Sequence, residues 1–383
     1  MEHNISKSRL LFFMFLVITF PLLENSFNFI ESGSLSCAVE AHSDIKFSPV
    51  GWWDGSYQKE KTLFLNDSVG FRPDLVRLTN QFNFWVFKIL PNGTYVGNDN
   101  YLINREYVDE YEGRCYGDYE KVRNTIRKLK LIQDTLERAG KTFIFVIAPS
   151  KPYFMPQNIP LCLRRSGGPK ISNYTCFQQL IDSSNIKYLD FNALFKKMKD
   201  TSRAPLFSRQ GAHWSLFGSL LASDFMSKFI EKQRNIKLPR LEITKYCYPD
   251  TIISPDNDMV RCSNLIFPAF KEKLCYPEYH YVADNAKTDL KIIFIGDSFG
   301  GQWIANKYMQ GITTNWEFWY YFNNVWNTQN IFNGAVQISN GYNWQQALSN
   351  AECLVIEFNP TNLQGQILPT ACIERIYKMY YNN

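Results

Sequence analysis

The sequence predicts an α/β protein built on a mostly parallel sheet with helices on both faces. Two observations predict it. First, short apolar runs of strand length, such as Thr142 to Ala148, Ile186 to Leu189 and Cys353 to Phe358, alternate with stretches of helical spacing. Second, Lys291-Ile292-Ile293-Phe294-Ile295-Gly296-Asp297-Ser298-Phe299-Gly300-Gly301 reads as a buried strand, a turn at Gly296, and a helix that carries Trp303, Ile304, Tyr308 and Met309. A serine at such a turn presents its hydroxyl at the carboxyl edge of the sheet, where α/β folds place their sites.

The chain has 383 residues, 45% of them hydrophobic and 16% aromatic, enough for one large α/β domain with an insertion or for two domains. A net charge of +5 with scattered Lys and Arg argues against nucleic-acid binding. Residues 1–34 read as a signal peptide or a signal anchor. Lys7 and Arg9 precede the apolar run Leu10 to Leu23, and Ser34-Leu35-Ser36 or Cys37-Ala38-Val39 would serve as a cleavage site. The remainder is therefore expected outside the cytoplasm, in a periplasm or on the outer face of a membrane, held there by residues 10–23 if the segment is not cleaved.

Residues 35–118 carry turn signals and aromatics with little periodicity and are expected to form an irregular leading segment with short strands. Residues 119–383 form the α/β domain. Its first helix is clear: Val122, Ile126, Leu129, Ile132 and Leu136 recur at spacings of three and four, and Gly140 stops it. Further helices are expected over residues 171–184 and from Leu216 to about Asn235, and a strand over residues 316–322. An insertion is expected at about 240–290. Of nine cysteines, Cys162 with Cys176, and Cys247 with Cys262 and Cys275, lie in loops that disulfides would hold, while Cys353 sits in an apolar strand as a free thiol. No Cys-x-x-Cys pair occurs and histidine is scarce, so no metal or other cofactor is expected.

A serine nucleophile needs a base, and the chain offers four histidines: His3, His42, His213 and His280. His213 lies in Phe207-Ser208-Arg209-Gln210-Gly211-Ala212-His213-Trp214-Ser215, a turn-like stretch before an apolar helix, and is the candidate base for Ser298. A packed or capping histidine is the structural alternative. The Ser298 N–H, with an asparagine amide at the end of a neighbouring strand (Asn323 or Asn324, and Asn359), would hold an oxyanion. Gly296 and Asp297 would shape the turn.

Gly-Asp-Ser-Phe late in the chain, with a His-Trp pair before it, resembles the exported SGNH-type domains of the alginate O-acetylation proteins. Thr94-Tyr95-Val96-Gly97-Asn98-Asp99-Asn100-Tyr101-Leu102, Ala148-Pro149-Ser150-Lys151 and Val355-Ile356-Glu357-Phe358-Asn359 are similar to further motifs of that family, in the same order. The resemblance implies an SGNH-hydrolase-like three-layer sandwich. It implies O-acetylation of a polysaccharide acceptor through an acyl-serine, a membrane-bound acyl-donor protein as partner, and Lys151 as a substrate contact. The same residues would serve a carbohydrate acetylesterase; a non-catalytic scaffold of a polysaccharide-modifying complex is the third reading. One departure stands out. The family pattern has Asp two residues before the histidine, and here that position is Gly211. Asp190, Glu357 or a backbone carbonyl would then serve His213, with Asp190 favoured because its strand ends near the His213 loop.

Overall fold

The computed structural model describes residues 2–27, 29, 31–37, 42–283, 289–331, 333–364 and 369–381. The chain divides into two compact units, Met1–Pro91 with Met259–Ala269, and Asn92–Asp258 with Phe270–Asn383.

The smaller unit is helical: α1 (Glu2–Phe27), α2 (Pro49–Asp54), α3 (Ser56–Asp67) and α4 (Arg72–Phe87). The expected irregular segment is thus wrong for residues 49–87. The helical period was hidden because apolar side chains occupy several faces of α4: Asn80, Gln81 and Phe84 are buried, while Leu75, Leu78, Phe82, Trp85 and Phe87 stay exposed. Gln81 accepts the Ile266 and Phe267 N–H groups at 3.0 Å each, and Cys37 forms a disulfide with Cys262. The helix α1 covers the apolar run expected to direct export. Among the described residues no helix is long and apolar enough to cross a membrane. The cleavage reading at Cys37-Ala38-Val39 falls partly outside the described residues.

The larger unit begins with a hairpin, β1 (Thr94–Val96) and β2 (Leu102–Asn104), then α5 (Arg105–Tyr111), α6 (Tyr119–Arg138), β3 (Thr142–Ile147), α7 (Asn173–Ile181), β4 (Tyr188–Asp190), α8 (Phe191–Met198) and α9 (Leu216–Arg234). An antiparallel pair, β5 (Arg240–Lys245) and β6 (Glu278–Val282), follows. Then come β7 (Ile292–Gly296), α10 (Ser298–Ala305), β8 (Trp316–Tyr320), β9 (Asn324–Asn327), β10 (Val336–Gln337), β11 (Cys353–Phe358) and α11 (Pro369–Tyr381).

Among the described residues seven strands make the main sheet, in the order β10-β9-β8-β7-β11-β3-β4. The run from β8 to β4 is parallel, and β9 and β10 extend it antiparallel. The central strands β3, β7 and β11 are buried at every residue, which explains why they read as unbroken apolar runs. Alternate residues feed two cores. Ile144, Phe294 and Val355 face Trp214, Phe217 and Trp303 on one side; Phe145, Ile295 and Ile356 face Leu129, Ile132 and Phe177 on the other. This is the three-layer α/β sandwich that the sequence predicted.

The disulfides expected in the 162–176 and 247–275 loops are absent: Cys162, Cys176, Cys247 and Cys275 are free thiols. Cys162 is exposed, whereas Cys176 is buried on α7 against the Tyr116 hydroxyl. The Cys247 thiol donates to Glu278, Cys275 is buried, and Cys262 is taken by Cys37. Cys353 is free and buried.

Candidate active site

Ser298 is the first residue of α10, at the carboxyl end of β7. Three buried carboxylate and amide groups build the turn that holds it. Asp297 caps the helix, one oxygen accepting the Phe299 N–H at 2.9 Å. Its other oxygen accepts the Asn359 N–H at 2.9 Å and the side-chain amides of Asn359 and Asn362. Glu357, from β11, lies beneath the turn and accepts the Asp297 and Gly300 N–H groups at 3.2 and 3.1 Å. Its total burial, with Asp297 close by, drives its carboxyl well above the ordinary range. Gly296 and Gly300 are required here, since a Cβ at either would lie 2.5 or 2.6 Å from the Glu357 carboxyl.

The loop before α9 supplies His213. Phe207 and Trp214 bridge antiparallel across it, Ser215 caps α9 through the Gly218 N–H, and the Ser215 N–H returns to the Leu206 carbonyl. Trp214 stacks on Trp303 of α10 with ring centroids 5.3 Å apart, and the Trp303 indole donates to the Ser219 carbonyl. The two elements that carry His213 and Ser298 are therefore locked together by the core. The His213 ring meets Phe299 edge-on at 4.7 Å, and its Nε2 lies 2.8 Å from Ser298 Oγ.

The third group is Asp258. One oxygen lies 2.7 Å from His213 Nδ1 and the other accepts the Ala212 N–H at 2.8 Å. Burial pushes this carboxyl up. The hydrogen bond and charge of His213, the Ala212 N–H and the cation of Lys151 outweigh that push, and the carboxyl is held below its ordinary value. Asp258 thus remains an anion, with His213 oriented between it and Ser298.

The expected acid, Asp190, is elsewhere. It is buried at the start of α8, where it accepts the Tyr174 hydroxyl at 2.7 Å, the Gln178 amide at 3.3 Å and the Ala193 N–H at 3.2 Å. Its strand β4 is the edge strand beside β3, three positions from β7 in the sheet. Glu357 is occupied beneath the Ser298 turn. The position that the family fills with Asp is closed for a steric reason: a Cβ on Gly211 would lie 2.8 Å from the Asp256 carbonyl oxygen. The chain segment that brings Asp258 to His213 occupies the space that a side chain at 211 would need.

Lys151, expected as a substrate contact, is turned inward. It is buried, and its ammonium donates to the Leu102 and Arg209 carbonyls at 2.9 and 3.3 Å, tying β2 to the His213 loop. Burial pulls its pKa down to about 7, against the opposing pull of Asp258, Glu272 and Asp256. Asn359 is also committed, its amide to Asp297 and its carbonyl to the Thr361 N–H. Asn323 is exposed in the turn between β8 and β9. His42 faces Asp67 in the smaller unit, and His280 faces Glu242 on the β5–β6 pair.

Among the described residues the Ser298 N–H has no acceptor, and the first turn of α10 adds its dipole to it. Tyr321, held at φ 52° after β8 by its N–H to the Gly296 carbonyl, has its hydroxyl near Asp297, Ser298 and Asn362. Burial, then the nearby Asp297, keeps this phenol protonated. Asp258 and Tyr321 are the site residues that the sequence reading missed. The run Ser254-Pro255-Asp256-Asn257-Asp258 holds two acids between His213 and Ser298 in the chain, but nothing local ties either to the histidine.

Ser298 and His213 open onto a groove of about 730 Å³, lined also by Pro255, Phe318, Tyr320, Trp326 and Ile331. Phe318 and Trp326 are opposite neighbours across β8 and β9 and so share one face.

Residues 95–259 match the family model described as the SGNH hydrolase-like domain of the acetyltransferase AlgX. That match includes His213 and Asp258 and ends before Ser298. No curated protein matches the chain. Among solved structures, the O-acetyltransferase domain of Pseudomonas putida AlgJ is 15% identical with a TM-score of 0.49, covering 76% of this chain and 99% of that one. Bacillus cereus PatB1, with a sulfonyl adduct, is 12% identical at a TM-score of 0.44, over 71% of this chain and 97% of that one. Pseudomonas aeruginosa AlgX is 12% identical at 0.46, over 75% and 66%. These structures are likenesses at low identity, and the assignment rests on the family model. Through residues 95–259 the chain is similar to the SGNH hydrolase-like domain of the acetyltransferase AlgX.

Proposed function

We propose that this protein is an exported serine O-acyltransferase that acetylates a polysaccharide through an acyl-serine at Ser298. The observation that carries the reading is the hydrogen-bonded run Ser298 Oγ, His213 Nε2, His213 Nδ1 and Asp258, open to the groove at its serine end. The acetyltransferase family model over residues 95–259 supports the same chemistry. The basic-then-apolar N-terminus and the Cys37–Cys262 disulfide support export to an oxidising compartment.

Ser298 Oγ attacks the carbonyl carbon of the acyl donor while His213 Nε2 takes its proton, and the carbonyl oxygen becomes an oxyanion. In this reading the Ser298 N–H receives that charge, with the nearby Tyr321 hydroxyl as a second donor. Asp258 fixes the imidazole tautomer and stabilises the imidazolium. Collapse expels the donor's leaving group, which takes the proton from His213, and leaves an acyl-serine ester. A sugar hydroxyl then attacks this ester, giving its proton to His213. Collapse releases the O-acetyl sugar and returns the proton to Ser298 Oγ, so no proton is consumed overall. A membrane-bound protein is the proposed acyl source. With water in place of the sugar the same cycle is an acetylesterase. The aromatic groove beside Ser298 favours a sugar acceptor.

Incubation with p-nitrophenyl acetate followed by peptide mass mapping tests the reading. An acetyl group on Ser298 in the wild type, absent from Ser298→Ala, is expected. No acyl group at Ser298, together with full turnover by Ser298→Ala, would overturn it.

A further inference from the structure

Gln302 lies four residues after Ser298 on α10, one turn along, and so on the same face of that helix. It is only 5% exposed and lines the groove. Neither its amide nitrogen nor its amide oxygen has a hydrogen-bond partner. A buried polar group left in this condition normally costs stability, and native proteins seldom keep one. Both amide atoms are buried as well as unpaired, so the side chain must turn toward the groove, which Phe318, Tyr320 and Trp326 also line, for something that enters there to complete it.

We infer that Gln302 binds the sugar acceptor by a vicinal pair of ring hydroxyls, the amide nitrogen donating to one and the amide oxygen accepting from the other. The inference rests on the acyl-transfer reading of Ser298 and adds the feature of the acceptor that the site recognises. Three points fix the chemistry. The amide presents one donor and one acceptor side by side, which a diol complements and a hydrocarbon or carboxylate does not. The aromatic faces of Trp326 and Tyr320 suit the apolar face of a pyranose ring. Finally, positions 298 and 302 lie one helical turn apart, about 5.4 Å along the axis of α10, a rise close to the size of a single sugar ring. A ring held by Gln302 places another of its hydroxyls at the Ser298 ester. Asn306, whose side chain donates back to the Gln302 carbonyl, fixes the end of this turn.

The test is equilibrium binding of a β-1,4-linked glucohexaose, whose rings carry free diols, against the same oligomer after periodate cleavage of those diols. Both are titrated into wild-type protein and Gln302→Leu. In the wild type, cleaving the diols should weaken binding about tenfold, as expected for losing hydrogen bonds to one amide. In Gln302→Leu the two oligomers should bind alike, and no better than the cleaved oligomer binds the wild type. Equal binding of both by the wild type, no binding of either, or discrimination retained in Gln302→Leu would each overturn the inference. If Gln302→Leu does not fold, as judged by thermal melting, the wild-type contrast decides alone. Acyl labelling of Ser298 is read separately, so failure of the acyl-transfer reading is distinguished from failure of the Gln302 assignment.

Discussion

The nucleophile turn and the histidine loop solve one problem in opposite ways. Each uses glycine to admit a group from a distant part of the chain. At the nucleophile turn, Gly296 and Gly300 leave space for the Glu357 carboxyl, which arrives from the neighbouring strand β11. The intruder there is a side chain at a fixed place in a parallel sheet. At the histidine loop, Gly211 leaves space for the backbone of Asp256, part of a long connection between β5 and β6. The intruder here is a loop, and it carries the acid. Replacing an acid beside the histidine by one 45 residues later in the chain is therefore coupled to emptying position 211. Gly211 is the residue that the backbone of Asp256 leaves room for, and its lack of an acid gives no sign that His213 lacks a carboxylate neighbour.

The comparison breaks most severely at the two residues that meet across it. Ser298→Ala or His213→Ala should lower turnover by roughly four to six orders of magnitude while leaving the thermal melt near that of wild type, measured by steady-state hydrolysis and circular dichroism. Wild-type turnover in both would dissolve the site.

Gly211→Asp sharpens the comparison. The new Cβ meets the Asp256 carbonyl at 2.8 Å, so the loop must shift, costing about 1–3 kcal/mol of stability. Asp258 moves with it, and misplacement of that order reduces turnover by about a hundredfold. A gain in turnover would mean that the family's acid position is still the functional one.

The smallest effect concerns pH. Asp256, the neighbour that fills the space at Gly211, is buried, and burial raises its carboxyl to about 7 despite the Leu216 N–H and the Tyr276 hydroxyl. Its folded value is above its unfolded one of 3.8, so its contribution is fully present below about pH 4 and is lost as pH rises through 7. Asp256→Asn removes this titration. Its melting temperature should rise relative to wild type between pH 5 and pH 8; a constant difference would show that Asp256 does not titrate in that range.

The unequal legibility of the two regions follows from the same contrast. The strand, turn and helix around Ser298 are contiguous, and their apolar run and glycines record the local constraints, so the fold class and the place of Ser298 at the turn could be read directly. His213 was readable because the chain has so few histidines and because Trp214 and a helix follow it. Asp258 was not, since its placement is a property of the tertiary path of residues 246–258, where no period exists to follow. Asp190 was chosen because strand ends converge in α/β folds, yet its oxygens are spent on Tyr174, Gln178 and the α8 cap. Lys151, expected as a substrate contact, is instead buried and ties two backbone carbonyls beside Asp258.

The central claim is that Asp258 serves His213. The direct measurement is the single-turnover rate at which p-nitrophenyl acetate acylates Ser298 in Asp258→Asn and in Asp190→Asn. In the serine-protease case the corresponding change costs about four orders of magnitude, and a fall of that order is predicted for Asp258→Asn. Asp190→Asn should leave the rate within a few-fold of wild type and lower stability by about 1 kcal/mol through the weakened cap of α8. A wild-type rate in Asp258→Asn, with the large fall in Asp190→Asn, would contradict the account.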